Sequence, residues 1–252
     1  MLTPCPFITP ATPDLILATF DRHHGESEFP YFSLNSSFGV GDCTEKVQAN
    51  RDRMKKSLGI SRLVSARQVH GDQIFRIEEM PASDQEIDGF DALMTKIRGV
   101  GLMIQHADCQ AIMLHDPVQS AIAAVHCGWR GSVTNIINKT VQMMCSCYQS
   151  HPEDLVASIS PSLGPCCAEF INHRQELPAS FQAFQIRSNY FDFWQISRSQ
   201  LMEAGLQADK IQIAGICTAC SQNFFSYRRA KRKENGITGR NCSIISLSTI
   251  HD

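Results

Sequence analysis

The sequence predicts a mixed fold of helices and strands, α/β or α+β, as a single domain over residues 1–252. Three observations predict it. Short apolar runs with β-branched content alternate with turns through the first half, at strand length rather than helix length. Segments with helical apolar spacing or helix end signals fall between and after them. The 252 residues, 43% hydrophobic, can build one large core or two small ones, and no change of composition marks a linker.

In chain order, Pro4, Pro6, Pro10 and Pro13 read as an extended lead-in, and Leu15 to Phe20 as a short strand. Asp42-Cys-Thr-Glu45 matches a capping box, so a helix should follow to about Leu58, with Gly59 as its stop. Strands are expected at Leu63–Val69, Ile74–Ile77, Ala92–Thr95, Val100–Ile104, Ala111–Leu114 and Ala121–Val125. Ser132 can cap a second helix. On it, Val133, Ile136, Ile137, Thr140, Val141 and Met144 fall on one face for packing against a sheet. The second half adds a strand at Val156–Ile159, a helix near Ser197–Gly205, and strands at Ile211–Ile216 and Ser243–Leu247.

Charge excludes some functions. With 23 basic and 25 acidic residues the net charge is -2, which does not suit a general nucleic-acid or membrane-surface binder. The one basic cluster, Arg228-Arg229-Ala-Lys231-Arg232-Lys233, reads as a solvated loop, with an RNA or anion patch as the alternative. No stretch approaches the ~18 apolar residues of a membrane span, and the first residues show no secretory signal. The 11 cysteines are odd in number and irregularly spaced, which points to free thiols in a reducing cytoplasm.

Chemistry concentrates in three short segments. His70 lies in Arg67-Gln-Val-His70-Gly71-Asp72, Cys109 in His106-Ala-Asp-Cys109, and His126 in Val125-His126-Cys127-Gly128-Trp129-Arg130-Gly131. Two imidazoles and a thiolate suit zinc, and three protein ligands leave a tetrahedral ion one open position, as in catalytic sites. Copper is the alternative for such a set. His106 and Cys109 could instead form a ligand pair of their own. Cys217-x-x-Cys220 is a possible redox or zinc pair, but a closed zinc site needs a second pair, and adjacent Cys166-Cys167 would be an unusual one. Thiols without a metal are therefore expected at Cys217 and Cys220. Asp108 is the nearest candidate acid, with orientation of a ligand histidine as its other reading. Arg51, Arg130 and Arg228 are candidates to bind phosphate, Arg130 first because it lies in a glycine turn.

At these residues the chain resembles the laccase-domain (YfiH-type) family. The resemblance runs along nearly the whole chain, through Ser33-Leu-Asn35, Gly41-Asp42, Asn50-Arg51, Arg67-Gln-Val-His70-Gly71, Asp91-Ala-Leu-Met-Thr95, Ala107-Asp108-Cys109 and Val125-His126. It continues through Gly128-Trp-Arg-Gly131, Gly164-Pro165, Cys217-Thr218, Phe225-Ser-Tyr-Arg-Arg229 and Gly239-Arg240. It implies a layered α/β/β/α sandwich of mixed sheets, with metal ligands at His70, Cys109 and His126. The implied activity is phosphorolysis of adenosine, inosine, guanosine and methylthioadenosine, plus deamination of adenosine. Family members have also been described as copper-dependent polyphenol oxidases and as peptidoglycan editing factors. For the latter, Cys109 would act as a nucleophile beside His70 or His126. Two departures from the family pattern, His106 for a small hydroxyl residue and Cys127 for alanine, each add a potential ligand near the site.

Overall fold

The computed structural model describes residues 14–233 and 235–249. The proline-rich start lies outside them. In chain order the elements are β1 (Leu15–Phe20), α1 (Thr44–Leu58), β2 (Arg62–Arg67), β3 (Ile74–Ile77), β4 (Gln85–Asp88), β5 (Ala92–Thr95), β6 (Val100–His106), β7 (Gln110–Asp116) and β8 (Ala121–Cys127). Then come α2 (Trp129–Thr134), α3 (Ile136–Tyr148), β9 (Val156–Ile159), α4 (His173–Glu176), β10 (Gln185–Arg187), β11 (Tyr190–Phe191), α5 (Phe193–Glu203), β12 (Ile211–Ile213), α6 (Tyr227–Lys233) and β13 (Asn241–Leu247).

Two mixed sheets carry the fold. One has strand order β1-β13-β6-β2-β4 and the other β12-β9-β7-β8-β5-β3; β10 and β11 pair separately. Each large sheet contains parallel and antiparallel pairs.

The alternation of side chains along the strands creates three apolar layers. On β8, Ala121, Ala123, Val125 and Cys127 face α3, whereas Ile122 and Ala124 face the other sheet. On β13, Ile245 and Leu247 face the inter-sheet layer, and Cys242 and Ile244 pack with Met54 of α1. The order is therefore helix, sheet, sheet, helix, the α/β/β/α sandwich expected. On α3, Ile136, Ile137, Val141 and Met144 are fully buried. At about 1.5–3 kcal/mol for each large apolar side chain buried, packing outweighs the helix's own propensity.

Several expectations need correction. The capping box does not form. The Asp42 carboxylate accepts Asn35 Nδ2–H and Cys43 N–H, so α1 starts one residue later, with Cys43 at its N-cap. Gly59 does end α1, at φ 66. Ser132 caps nothing: it sits inside α2 and its hydroxyl bonds Gly128 O. Asn135, at φ 54, caps α3 through Asn138 N–H. This break turns Val133 to solvent, away from the buried face. The helix expected from Ser197 begins earlier, at Phe193, where Asp192 accepts Gln195 N–H. The last strand of the six-stranded sheet stops at Ile213 because the chain turns through Gly215 at φ 66. The basic run at 228–233 is helical, not a loop. The strand β4 was not expected, because Gln85-Glu-Ile-Asp88 is mostly polar, as suits an edge strand. No helix among the described residues is long and apolar enough to cross a membrane.

Candidate metal centre

Strand register brings the site together. Antiparallel pairing sets Ala111 of β7 opposite His126 of β8, so Cys109, just before β7, lies beside the end of β8. Pairing of Ala92 with Val125 puts Asp91, just before β5, next to His126. His70 follows β2 in a turn and holds φ 60, a left-handed conformation uncommon for a residue with a side chain.

Asp91 holds that turn. Its carboxylate accepts the backbone N–H groups of Val69 (3.2 Å), His70 (3.0 Å) and Gly71 (2.7 Å), and the Nδ1–H of His126 (2.7 Å). Burial alone would raise the pKa of Asp91. The hydrogen bond and charge of His126 and the amides of Gly71 and Val69 outweigh it, so the group stays ionised. One buried carboxylate therefore fixes the backbone of one imidazole and the tautomer of another.

The free faces of the histidines meet Cys109. Its sulfur lies 3.8 Å from His70 Nε2. The donor atoms of His70, Cys109 and His126 all lie within 4.8 Å of one another. Zinc bonds of about 2.0 and 2.3 Å at tetrahedral angles set a nitrogen and a sulfur about 3.5 Å apart, so the donors suit a single ion. Gly128 is required here: a Cβ would stand 2.9 Å from Cys109 Sγ and 3.2 Å from His70 Cδ2.

The trio is also polarised. Burial pushes the Cys109 thiol up, but the charge and hydrogen bonds of His126 and His70 bring it down to about 6. Burial pushes His126 down, but Cys109 and Asp91 raise it to about 9. Near neutral pH the metal-free pair is thus a thiolate and an imidazolium. Both ligand sites are negative or electron-rich once His126 gives up its proton, as metal binding needs.

Of the remaining predicted residues, Asp108, Arg130 and Arg228 line the same cavity as the trio, and Arg51 does not. Asp108 lines the cavity at φ 92, with its carboxylate accepting Thr218 Oγ1–H (2.7 Å) and Arg228 N–H (2.5 Å). Arg51 is away from the trio. Its buried guanidinium donates to Ser36 O, Ser65 Oγ and, at 2.8 Å, Glu86 Oε1. Arg130 lines the cavity and stacks on Trp129 at 4.5 Å. Arg228 lines it too and braces the Cys167 and Glu169 carbonyls. Cys127 points into the helix-facing core, its thiol pushed up to about 12 by burial, so it is not a fourth ligand. His106 bonds Ser243 Oγ at 3.0 Å and stands outside the metal-capable group. Its burial keeps it neutral, down to about 3. Cys217 and Cys220 are free thiols, and Cys166 and Cys167 stand beside them in space, so the four sulfurs make a second group that could hold a metal ion.

The His70–Cys109–His126 group opens into a cavity of about 1200 Å³. Phe38, Trp129, Phe170 and Tyr227 give it aromatic walls, and Arg130, Arg228, Lys231, Arg232 and Arg240 give it positive charge. Sequence reasoning missed Asp91 and Arg240, along with the wall residues Phe38 and Phe170. Asp91 stood only in a strand motif, and Arg240, half-buried, only beside a glycine. The signal for Asp91 was a lone acid at the head of an apolar strand.

Residues 16–248 match the model of a family described as multi-copper polyphenol oxidoreductase laccase. A purine nucleoside phosphorylase of Xylella fastidiosa is 32% identical over 233 residues, covering 86% of this chain and 88% of that protein. The purine nucleoside phosphorylase YlmD of Geobacillus stearothermophilus is 30% identical over 243 residues, covering 89% and 87%. The crystal structure of YlmD from the same organism superposes with a TM-score of 0.86, at 30% identity, over 96% of this chain and 94% of that one. The hypothetical protein YfiH of Bacillus licheniformis gives a TM-score of 0.84 at 28% identity, over 93% of each chain.

Proposed function

The chain belongs to the multi-copper polyphenol oxidoreductase laccase family, and from that premise we propose that it is a zinc-dependent purine nucleoside phosphorylase that also deaminates adenosine. Its substrates on this reading are phosphate with adenosine, inosine, guanosine or methylthioadenosine. The carrying observation is that the His70–Cys109–His126 group stands in a cavity with both aromatic walls and a cluster of basic side chains.

The chemistry asks for both. In phosphorolysis a phosphate oxygen bonds to C1′ as the bond from C1′ to the purine nitrogen breaks. Its electron pair leaves with the base, and a proton returns to the ring. Phosphate carries the charge that Arg130, Arg228, Lys231, Arg232 and Arg240 would bind. The purine is a flat ring that Phe170 and Tyr227 could stack. In deamination water adds at C6 and ammonia leaves. Zinc held by His70, Cys109 and His126 would supply Lewis acidity and lower the pKa of water in the open position. Asp91 orients His126 and the His70 turn. Asp108, whose oxygens already accept Thr218 and Arg228, acts as a positioning residue rather than the proton donor.

The test is a product assay on adenosine with and without phosphate, paired with metal content. Adenine and ribose 1-phosphate should appear only with phosphate, inosine without it, and one zinc should occupy the His–Cys–His group. Neither product from zinc-loaded protein would sink the proposal.

A second reading rests on the polarised thiol. The Asp91–His126–Cys109 order is also that of a cysteine hydrolase, which would act on a cell-wall precursor. Chelation followed by zinc re-addition separates the two. Phosphorolysis should be lost and then restored, whereas a thiol hydrolase survives chelation. Copper oxidation draws less support, because histidines enter only one metal-capable group among the described residues.

A further inference from the structure

Outside the catalytic cavity, two loops bring four thiols together. Cys166 and Cys167 lie in the turn after Gly164-Pro165, and Cys217 and Cys220 in the turn after β12. The Cys166 and Cys167 sulfurs stand 3.6 and 3.5 Å from Cys220 Sγ, and all four sulfurs lie within 4.8 Å of one another. We propose that Cys166, Cys167, Cys217 and Cys220 form a second metal site, a closed thiolate site for one zinc ion that ties the two loops together.

The distances favour a single ion. Four zinc–sulfur bonds of about 2.3 Å at tetrahedral angles space the sulfurs about 3.8 Å apart. A disulfide needs about 2.05 Å, well inside the observed separations. Four thiolates and no open position make a structural site, and soft sulfur donors select zinc over hard cations. Binding exchanges four S–H protons for one Zn²⁺, leaving a net charge of -2 on the cluster.

The loops are built to hold that charge. Arg187 and Arg228 donate to the carbonyls of Cys166 and Cys167, and Arg229 to those of Thr218, Ala219 and Ser221. Ser162 and Cys217 form a parallel bridge that sets the loops side by side. A Cβ at Gly164 would fall 2.9 Å from Cys217 Cβ, so glycine is what allows this approach. The staple is linked to the cavity. Arg228 joins the Cys167 carbonyl to Asp108 through its own backbone N–H, and Thr218, next to Cys217, holds the other Asp108 oxygen.

The test is cobalt titration of the reduced protein carrying His70→Ala, Cys109→Ser and His126→Ala, which removes the first site. One Co²⁺ per chain should bind, with tetrahedral visible bands and thiolate charge-transfer absorption of four-sulfur intensity. Zinc should displace it. In the otherwise native chain, zinc should protect these four cysteines from alkylation, read by mass spectrometry. Cys220→Ser should lower the charge-transfer intensity by a quarter, and Cys217→Ser with Cys220→Ser should abolish tight binding. Absence of the absorption, intensity for two sulfurs or fewer, or isolation of a Cys–Cys disulfide with no bound metal from reduced protein would each overturn the site.

Discussion

Asp91 and His126 are joined twice: the Asp91 carboxylate accepts His126 Nδ1–H at 2.7 Å, and the Asp91 carbonyl accepts His126 N–H at 2.7 Å. The second contact belongs to the strand pairing and fixes the first. With Nδ1 committed to the carboxylate, Nε2 is left to face Cys109 and an ion. Replacing Asp91 by asparagine keeps the shape but removes the charge that raises His126 and makes it a strong ligand. Zinc affinity should fall about 10–100-fold, as for other supports of ligand histidines. Competition against a chromophoric chelator measures it, and unchanged affinity would show that Asp91 serves only the His70 turn.

Metal binding should release protons in a defined number. Cys109, brought down to about 6, is already a thiolate at pH 7.5, while His126, raised to about 9, still carries its proton. Zinc binding to the first site at that pH should release about one proton, from His126. Affinity should therefore already fall about tenfold per unit decrease of pH near 7.5, and more steeply below about pH 6, where Cys109 also protonates. The sign follows for stability of the metal-free protein. The depressed thiol stabilises the fold at high pH and loses this as pH falls through about 6. The raised imidazole stabilises it at low pH and loses this as pH rises through about 9. Calorimetry in buffers of different ionisation enthalpy counts the protons. Release of two at pH 7.5 would mean that no thiolate–imidazolium pair exists.

Gly128→Ala should separate folding from metal binding. The backbone at 128 has φ -81, which alanine adopts freely. The added Cβ would nevertheless press on Cys109 Sγ at 2.9 Å and His70 Cδ2 at 3.2 Å. Overpacking of this kind costs about 1–3 kcal/mol. The expected result is a folded protein with its zinc affinity reduced at least tenfold, by order of magnitude, because a 1 Å displacement of one ligand breaks the geometry. Full zinc content in the variant would contradict the fit of the trio to one ion.

What could be read from the chain follows from how local each signal is. Strands such as Ile74–Ile77, Ala92–Thr95 and Val156–Ile159 were legible to the residue, because apolar runs bounded by turns are local. Helix starts were not: Asp42 is drawn off by Asn35, and Asn135 caps α3 only because α2 ends there. The layered sandwich came from the resemblance, and the three ligands, singled out by residue type, were joined into one site chiefly by it, since strand register, not sequence distance, gathers them. Asp91 meets His126 across 35 positions, and Cys166 meets Cys220 across 54. No local pattern shows either. Arg51 looked like a phosphate ligand because nothing in the sequence showed Glu86, which pairs with it, to be its neighbour.

That last difference yields a paired prediction. Arg51 and Glu86 have side chains only 7% and 19% exposed. Arg51→Ala would leave the Glu86 carboxylate without its charge partner, and removing one member of a buried pair costs about 3–5 kcal/mol. The lower end is expected, since Gln105 and Ser65 still donate to Glu86. Arg130, exposed at the cavity with only Trp129 beneath it, carries no such structural duty. Arg130→Ala should leave the melting temperature nearly unchanged and raise the KM for phosphate more than it affects deamination of adenosine. Arg51→Ala should lower the melting temperature and leave the phosphate KM of the folded fraction unchanged. Thermal denaturation and phosphate-dependent kinetics on the same two variants decide it. If the effects are exchanged, phosphate binds at Arg51 and the basic cluster of the cavity has another ligand.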